Sequence, residues 1–253
     1  MLAVLAALWG GPFFFAEIAL RELPPLTIAL HRVFWAVPVL AIVIRFQRLA
    51  LPRDPRIWGA YLVMGALNNA IPFSLIFWGQ TRIESGLAAI LNGTSAVFGA
   101  VVAGLLLAAE PLTARKIAGA GLGLAGVAAI MGHDLLTGLD PRDLAQLAVL
   151  GGALSYALAS VWARRMLSGQ APQVNAFGML ASSSLLMIPV VLMTDGVPRF
   201  ELPPMIWAAL MALSVLCTAV AYLLYFAILT RAGAANLMLV TLMIPPLAAG
   251  LGA

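Results

Sequence analysis

Nine apolar stretches run through the 253 residues, and each is close to the length that crosses a bilayer. They cover 2–20, 26–44, 57–78, 86–107, 114–132, 144–163, 174–193, 205–229 and 233–251. Crossing ~30 Å of hydrocarbon as a helix takes about 20 residues with few charges. The pattern therefore predicts an all-α membrane protein, a polytopic bundle of nine transmembrane helices.

Composition points the same way. The chain is 63% hydrophobic and 9% charged, where a soluble domain is about a quarter charged. Mean hydropathy is +1.03, and the sequence pI of 9.8 brings nucleic acid to mind. The basic residues, however, are scattered singly through short loops and form no stripe along which a phosphate backbone can lie. Cys217 is the one cysteine and lies inside a span, so no disulfide framework exists. The first span has no basic leader and no small-residue cleavage site, and reads as a permanent helix.

Loop charges set the expected orientation. The N-terminus shares a side with the loops that follow even-numbered spans. That side carries nine basic residues: Arg45, Arg48, Arg53, Arg56, Arg115, Lys116, Arg164, Arg165 and Arg231. The opposite side carries five: Arg21, Arg32, Arg82, Arg142 and Arg199. The excess predicts a cytoplasmic N-terminus.

The segment from Asn69 to Arg82 has an echo 149 positions later, from Thr218 to Arg231. Ala70, Leu75, Phe77 and Thr81-Arg82 match Ala219, Leu224, Phe226 and Thr230-Arg231. Each segment closes a third span of five. Five is odd, so the second copy is inverted in the membrane. Inverted repeats are a building plan of many secondary transporters.

The stretch Glu110-Pro-Leu-Thr-Ala-Arg-Lys-Ile-Ala-Gly119-Ala-Gly-Leu-Gly123-Leu-Ala-Gly126-Val127 resembles the repeat signature of the drug/metabolite transporter superfamily, EamA type. Leu8-Trp9-Gly10, the Asn69-Ala-Ile-Pro-Phe73 run and the segment from Gly233 to Pro245 are similar to that family too. The resemblance implies ten helices in two inverted five-helix repeats. Residues 1–132 form the first repeat, and 143–253 form a second, incomplete one. The counterpart of Glu110 falls at position 259, past Ala253, so the expectation is a C-terminally truncated member with nine helices. The resemblance also implies an exporter of small metabolites such as amino acids or analogues, placed in the bacterial inner membrane.

Charges inside spans are presumed functional. Glu17 in span 1 and Arg32 in span 2 lie at similar depth on helices joined by a short turn. They can pair as a gate or a contact for a substrate carboxylate, or stand as a structural pair or as two side chains reaching the interface. An unperturbed histidine titrates in the neutral range, so His31 beside Arg32 is a weaker candidate for proton coupling.

Polar residues in spans either bond between helices or line a shared central site. They include Asn68, Asn69, Asn92, Thr94, Ser95, Ser155, Tyr156, Ser160, Thr218, Tyr222, Tyr225, Asn236 and Thr241. The expected substrate-binding residues are Trp9, Asn69, Phe73, Asn92, Tyr156, Tyr222 and Asn236. Trp9 and Tyr156 hold similar places in the first helix of each repeat and serve either as site walls or as packing. Their aromatic faces suit aromatic, heterocyclic or cationic solutes. Trp78 and Trp162, at span ends, read as interface anchors.

Gly119, Gly123 and Gly126 share one face of span 5, for packing within the protomer or for a homodimer. Pro72 and Pro245-Pro246 break the hydrogen-bond ladder of their helices.

No phosphate-binding loop, paired-histidine metal motif or serine with an evident base is present, which argues against an enzyme. The expected partners are a small-molecule solute and the bilayer, with no cofactor and no nucleic acid. The reading is a secondary transporter working by alternating access; a non-transporting membrane scaffold or assembly subunit is the alternative.

Overall fold

The computed structural model describes residues 1–107, 113–131, 143–225 and 228. Eight helices order the described chain, and it contains no strand. They are α1 (Leu2–Ala19), α2 (Pro25–Phe46), α3 (Pro55–Gly79), α4 (Ser85–Leu106), α5 (Ala114–Met131), α6 (Leu144–Met166), α7 (Pro172–Thr194) and α8 (Pro204–Tyr225). All except α5 are long and apolar enough to cross a membrane. Each falls within a few residues of an expected span. The ninth expected span, with Asn236, Thr241 and Pro245-Pro246, lies outside the described residues.

Helix starts follow from chemistry that needs no partner. Pro25, Pro55, Pro172 and Pro204 each open a helix, where a missing N–H costs nothing and a fixed φ helps. Aspartates cap two starts: Asp54 Oδ1 accepts from Arg56 N at 2.8 Å, and Asp143 Oδ1 accepts from Ala145 N at 2.7 Å. Helix α6 runs to Met166 and holds Arg164 and Arg165 in its last turn, where the helix dipole favours cations.

Packing brings the two halves of the chain together. Helix α6 lies along α3 and α4, α7 lies along α3 and α2, and α8 lies along α1 and α2. The main core includes Leu40, Phe77, Leu180, Leu210 and Leu213, all essentially without solvent access. The outside is apolar as well. Ile42, Phe46, Leu105, Leu185 and Met193 are exposed, a surface for lipid rather than water.

Two glycines set how closely α7 approaches α3. A β-carbon on Gly178 would stand 2.4 Å from the Tyr61 ring, and one on Gly65 would stand 2.9 Å from Ser183 and from the Met179 carbonyl. On α5, by contrast, a β-carbon on Gly119 or Gly126 would meet nothing within 4 Å. These two glycines make no close contact among the described residues.

Gly178→Ala should therefore lower the thermal midpoint in detergent, because overpacking a filled site costs about 1–3 kcal/mol. Gly59 lies on the open face of α3 with nothing near it. Gly59→Ala should be neutral or raise the midpoint slightly, by up to about 1 kcal/mol of helix propensity. Equal midpoints for the two variants would show that the α3–α7 contact is not tight.

Candidate solute site

Two helices carry π-helical turns near their middles, and polar side chains gather there. In α3 the residues Ala66–Ala70 form a π-helical turn. The cause is Pro72, which has no N–H for the carbonyl one turn earlier and whose ring crowds it. The ladder shifts by one residue, so that Ile71 N donates to Ala66 O. Neighbouring hydroxyls reach the carbonyls around the turn. Ser155 Oγ on α6 donates to Leu67 O at 2.6 Å, and Ser183 Oγ on α7 shares its one proton between Met179 O at 2.8 Å and Gly65 O at 3.0 Å.

In α8 the residues Ala212–Val220 are also π-helical, here without a proline. Thr218 Oγ1 donates to Leu213 O, five residues back, at 2.8 Å. Turns of this kind recur at functional sites.

The side chains on these turns cross to the opposite half of the chain. Asn69 is fully buried and donates through Nδ2 to Ser183 Oγ on α7 at 2.9 Å. Thr218, 149 positions later, accepts from Arg32 Nε on α2 at 3.2 Å. Ser214 Oγ also donates to the Arg32 carbonyl at 2.9 Å. Asn68 Nδ2 lies 3.3 Å from Tyr222 Oη and 3.2 Å from Met179 Sδ.

Arg32 lies at the centre of this group. It is half-buried, seven residues into α2, or about 10 Å along the helix. Its Cζ is 3.9 Å from the centroid of the Phe73 ring and 5.9 Å from that of Phe77. No carboxylate among the described residues forms an ion pair with it. Inserting an arginine into a membrane helix costs about 2.5–3.5 kcal/mol on translocon scales. A desolvated cation–π contact returns about 2 kcal/mol, and a hydrogen bond to a charged group about 1.5–3 kcal/mol. The contacts seen are thus of the size needed to hold the cation without an acid beside it.

Of the residues read from sequence, Arg32, Asn69, Phe73 and Tyr222 come together here, and Tyr156 packs against the core that contains Phe73. Others do not. Glu17 is exposed, and its Oε2 accepts from Ser85 Oγ on α4 at 2.6 Å. The expected Glu17–Arg32 pair is not formed, because α8 packs on both α1 and α2 and supplies the partner for Arg32. Trp9 packs in a separate cluster with Leu5 and Ala221, its ring 5.7 Å from that of Tyr225. Asn92 lies on α4 with its side-chain oxygen buried and without a hydrogen-bond partner. Asn236 lies outside the described residues.

His31 is buried. Its Nδ1 accepts from Trp35 Nε1 at 2.9 Å, and its Nε2 has no hydrogen-bond partner. The interface anchors also have specific contacts. Arg82 lies over the Trp78 ring at 4.6 Å, and Trp162 Nε1 donates to Ala60 O at 3.0 Å.

Asn68, Ser155 and Thr218 stand in the sequence only within the broad set of span polar residues, and Ser183 and Ser214 fall outside that set. Their signal in the sequence was a short polar side chain in an apolar run, a signal shared by many residues that only pack.

Residues 1–132 and 143–253 match the EamA-like transporter family. An uncharacterized transporter of Archaeoglobus fulgidus is 28% identical over 248 residues, covering 97% of this chain and 84% of that protein. The uncharacterized transporter YvbV of Bacillus subtilis is 28% identical over 255 residues, covering 97% of this chain and 79% of its own length. A protein of known crystal structure superposes with a TM-score of 0.69 at 17% identity, over 98% of this chain and 85% of that one, and so shares the fold. With an arginine and a ring of polar and aromatic side chains among its apolar helices, the chain belongs to the EamA-like transporter family of the drug/metabolite transporter superfamily, as a multi-pass membrane transporter and not an enzyme.

Proposed function

We propose that this protein is a secondary transporter that exports small metabolites, such as amino acids or their analogues, across the bacterial inner membrane by alternating access. The observation that carries this reading is the pair of π-helical turns in α3 and α8 flanking Arg32. Non-helical backbone inside a membrane is tolerated where protein or a wet site satisfies it. Transporters use such interrupted helices at their binding sites.

The packing supports two inverted repeats, 1–132 and 143–253. The third helix of the first half, α3, lies on α6 and α7, the first two helices of the second. Reciprocally, α8 lies on α1 and α2. The two π turns overlap when shifted by the 149 positions of the sequence echo. In this reading the α3/α4 and α8 bundles rock about a site formed by Arg32, Asn69, Phe73, Tyr156 and Tyr222. The charge bias of the loops supports an N-terminus in the cytoplasm.

Topology is checked with single cysteines in a Cys217→Ala background. Cysteines at Arg53 and Arg164 should be shielded from an impermeant thiol reagent in intact cells, and one at Arg199 should label. Labelling at Arg53 but not at Arg199 would invert the orientation.

The transport reading is checked by efflux normalised to folded protein in the membrane. Tyr222→Phe keeps the packing and removes only the hydroxyl that faces Asn68, so specific efflux should fall several-fold with an unchanged thermal midpoint. Trp9→Ala should do the reverse, because truncating a packed aromatic destabilises by up to ~3–5 kcal/mol and Trp9 is only part-buried. Normal specific efflux in Tyr222→Phe would remove Tyr222 from the site. Absence of any efflux from the wild-type protein across a broad solute panel would favour a scaffold.

A further inference from the structure

We infer that the solute is an organic anion with one carboxylate, read by Arg32, and an apolar or aromatic body; this rests on the transport reading above. Arginine has five N–H donors, and here only Nε is engaged, by Thr218. The two terminal nitrogens make no hydrogen bond to the described protein. Those nitrogens form the fork that takes a carboxylate in two parallel bonds.

Among the described residues no acid forms an ion pair with Arg32. Of the chain's ten acidic residues, only Glu17 lies within a described helix, and it is exposed and bonded to Ser85. Glu110, Asp134 and Asp140 lie outside the described residues. The open fork of Arg32 therefore suits a carboxylate brought by the solute.

The same inventory argues about the rest of the solute. An ammonium group would find no carboxylate among the described residues and would meet the field of Arg32 as a like charge. The rings beside the guanidinium are those of Phe73 and Phe77, and Tyr222 Oη lies 3.3 Å from Asn68 Nδ2. They offer aromatic surface and a phenol hydroxyl. A deaminated carboxylic acid therefore fits this site better than the amino acid of the same skeleton.

The test uses matched trios that share one side chain: a carboxylate, its amino acid and the decarboxylated amine, for example 3-phenylpropionate, phenylalanine and phenethylamine. Skeletons should run from propyl to indolyl. Purified wild-type protein in liposomes is assayed for saturable exchange of each solute. The carboxylate should exchange at least tenfold faster than the amino acid in the best trio, and the amine should not exchange. Arg32→Gln should lose at least tenfold while remaining monodisperse, and Arg32→Lys, which keeps the charge without the fork, should fall between.

Equal exchange of amino acid or amine overturns the inference, as does a wild-type rate in Arg32→Gln. The ranking on the wild-type protein decides the matter even if Arg32→Gln does not fold. If no carboxylate exchanges but other solutes do, the anion assignment falls and the transport reading stands. If nothing exchanges, both fall.

Discussion

A proline in the middle of a membrane helix frees a carbonyl where there is no water to take it, and Pro72 places that constraint on α3. The local answer is a π-helical turn, and the wider answer is a set of hydroxyls on the opposite half of the chain. Ser155 and Ser183 reach the carbonyls around that turn from α6 and α7. These bonds hold α3 in one register against two neighbours. The same turn sets Asn68 and Asn69 inward, one toward Tyr222 and one toward Ser183. The polar centre of the bundle is thus a consequence of backbone that had to be satisfied.

The second turn shows that the arrangement does not require a proline. In α8 the position 149 residues after Pro72 is Ala221. There Thr218 bonds to the carbonyl five residues back, and Ser214 and Thr218 together hold the backbone and side chain of Arg32. One turn satisfies freed carbonyls, and the other positions a cation.

The spans were legible in the sequence because bilayer thickness sets a length that no soluble helix pattern needs to meet. Their ends were legible to within a few residues, since Pro25, Pro55, Pro172 and Pro204 mark them. The partners of the charges were not. Glu17 and Arg32 match in depth, but depth says nothing about which face of a helix a side chain occupies. Glu17 points to α4 and Arg32 to α8. Trp9 failed to join the other aromatics for the same reason. It lies against Tyr225, whereas Tyr156 packs on the main core. The π turns themselves left one sequence trace, Pro72, and in α8 none.

A cation held inside the bilayer without an acid is also a voltage sensor. One elementary charge crossing the full membrane field changes energy by about 2.3 kcal/mol per 100 mV. A conformational step that carries Arg32 through a fifth of that field is therefore biased by about 0.5 kcal/mol per 100 mV. An anion bound to the guanidinium cancels the moving charge. In the carrier mechanism proposed above, the empty bundle and the loaded bundle then answer differently to the same membrane potential, and the return of the empty carrier becomes the step the cell's own battery acts upon.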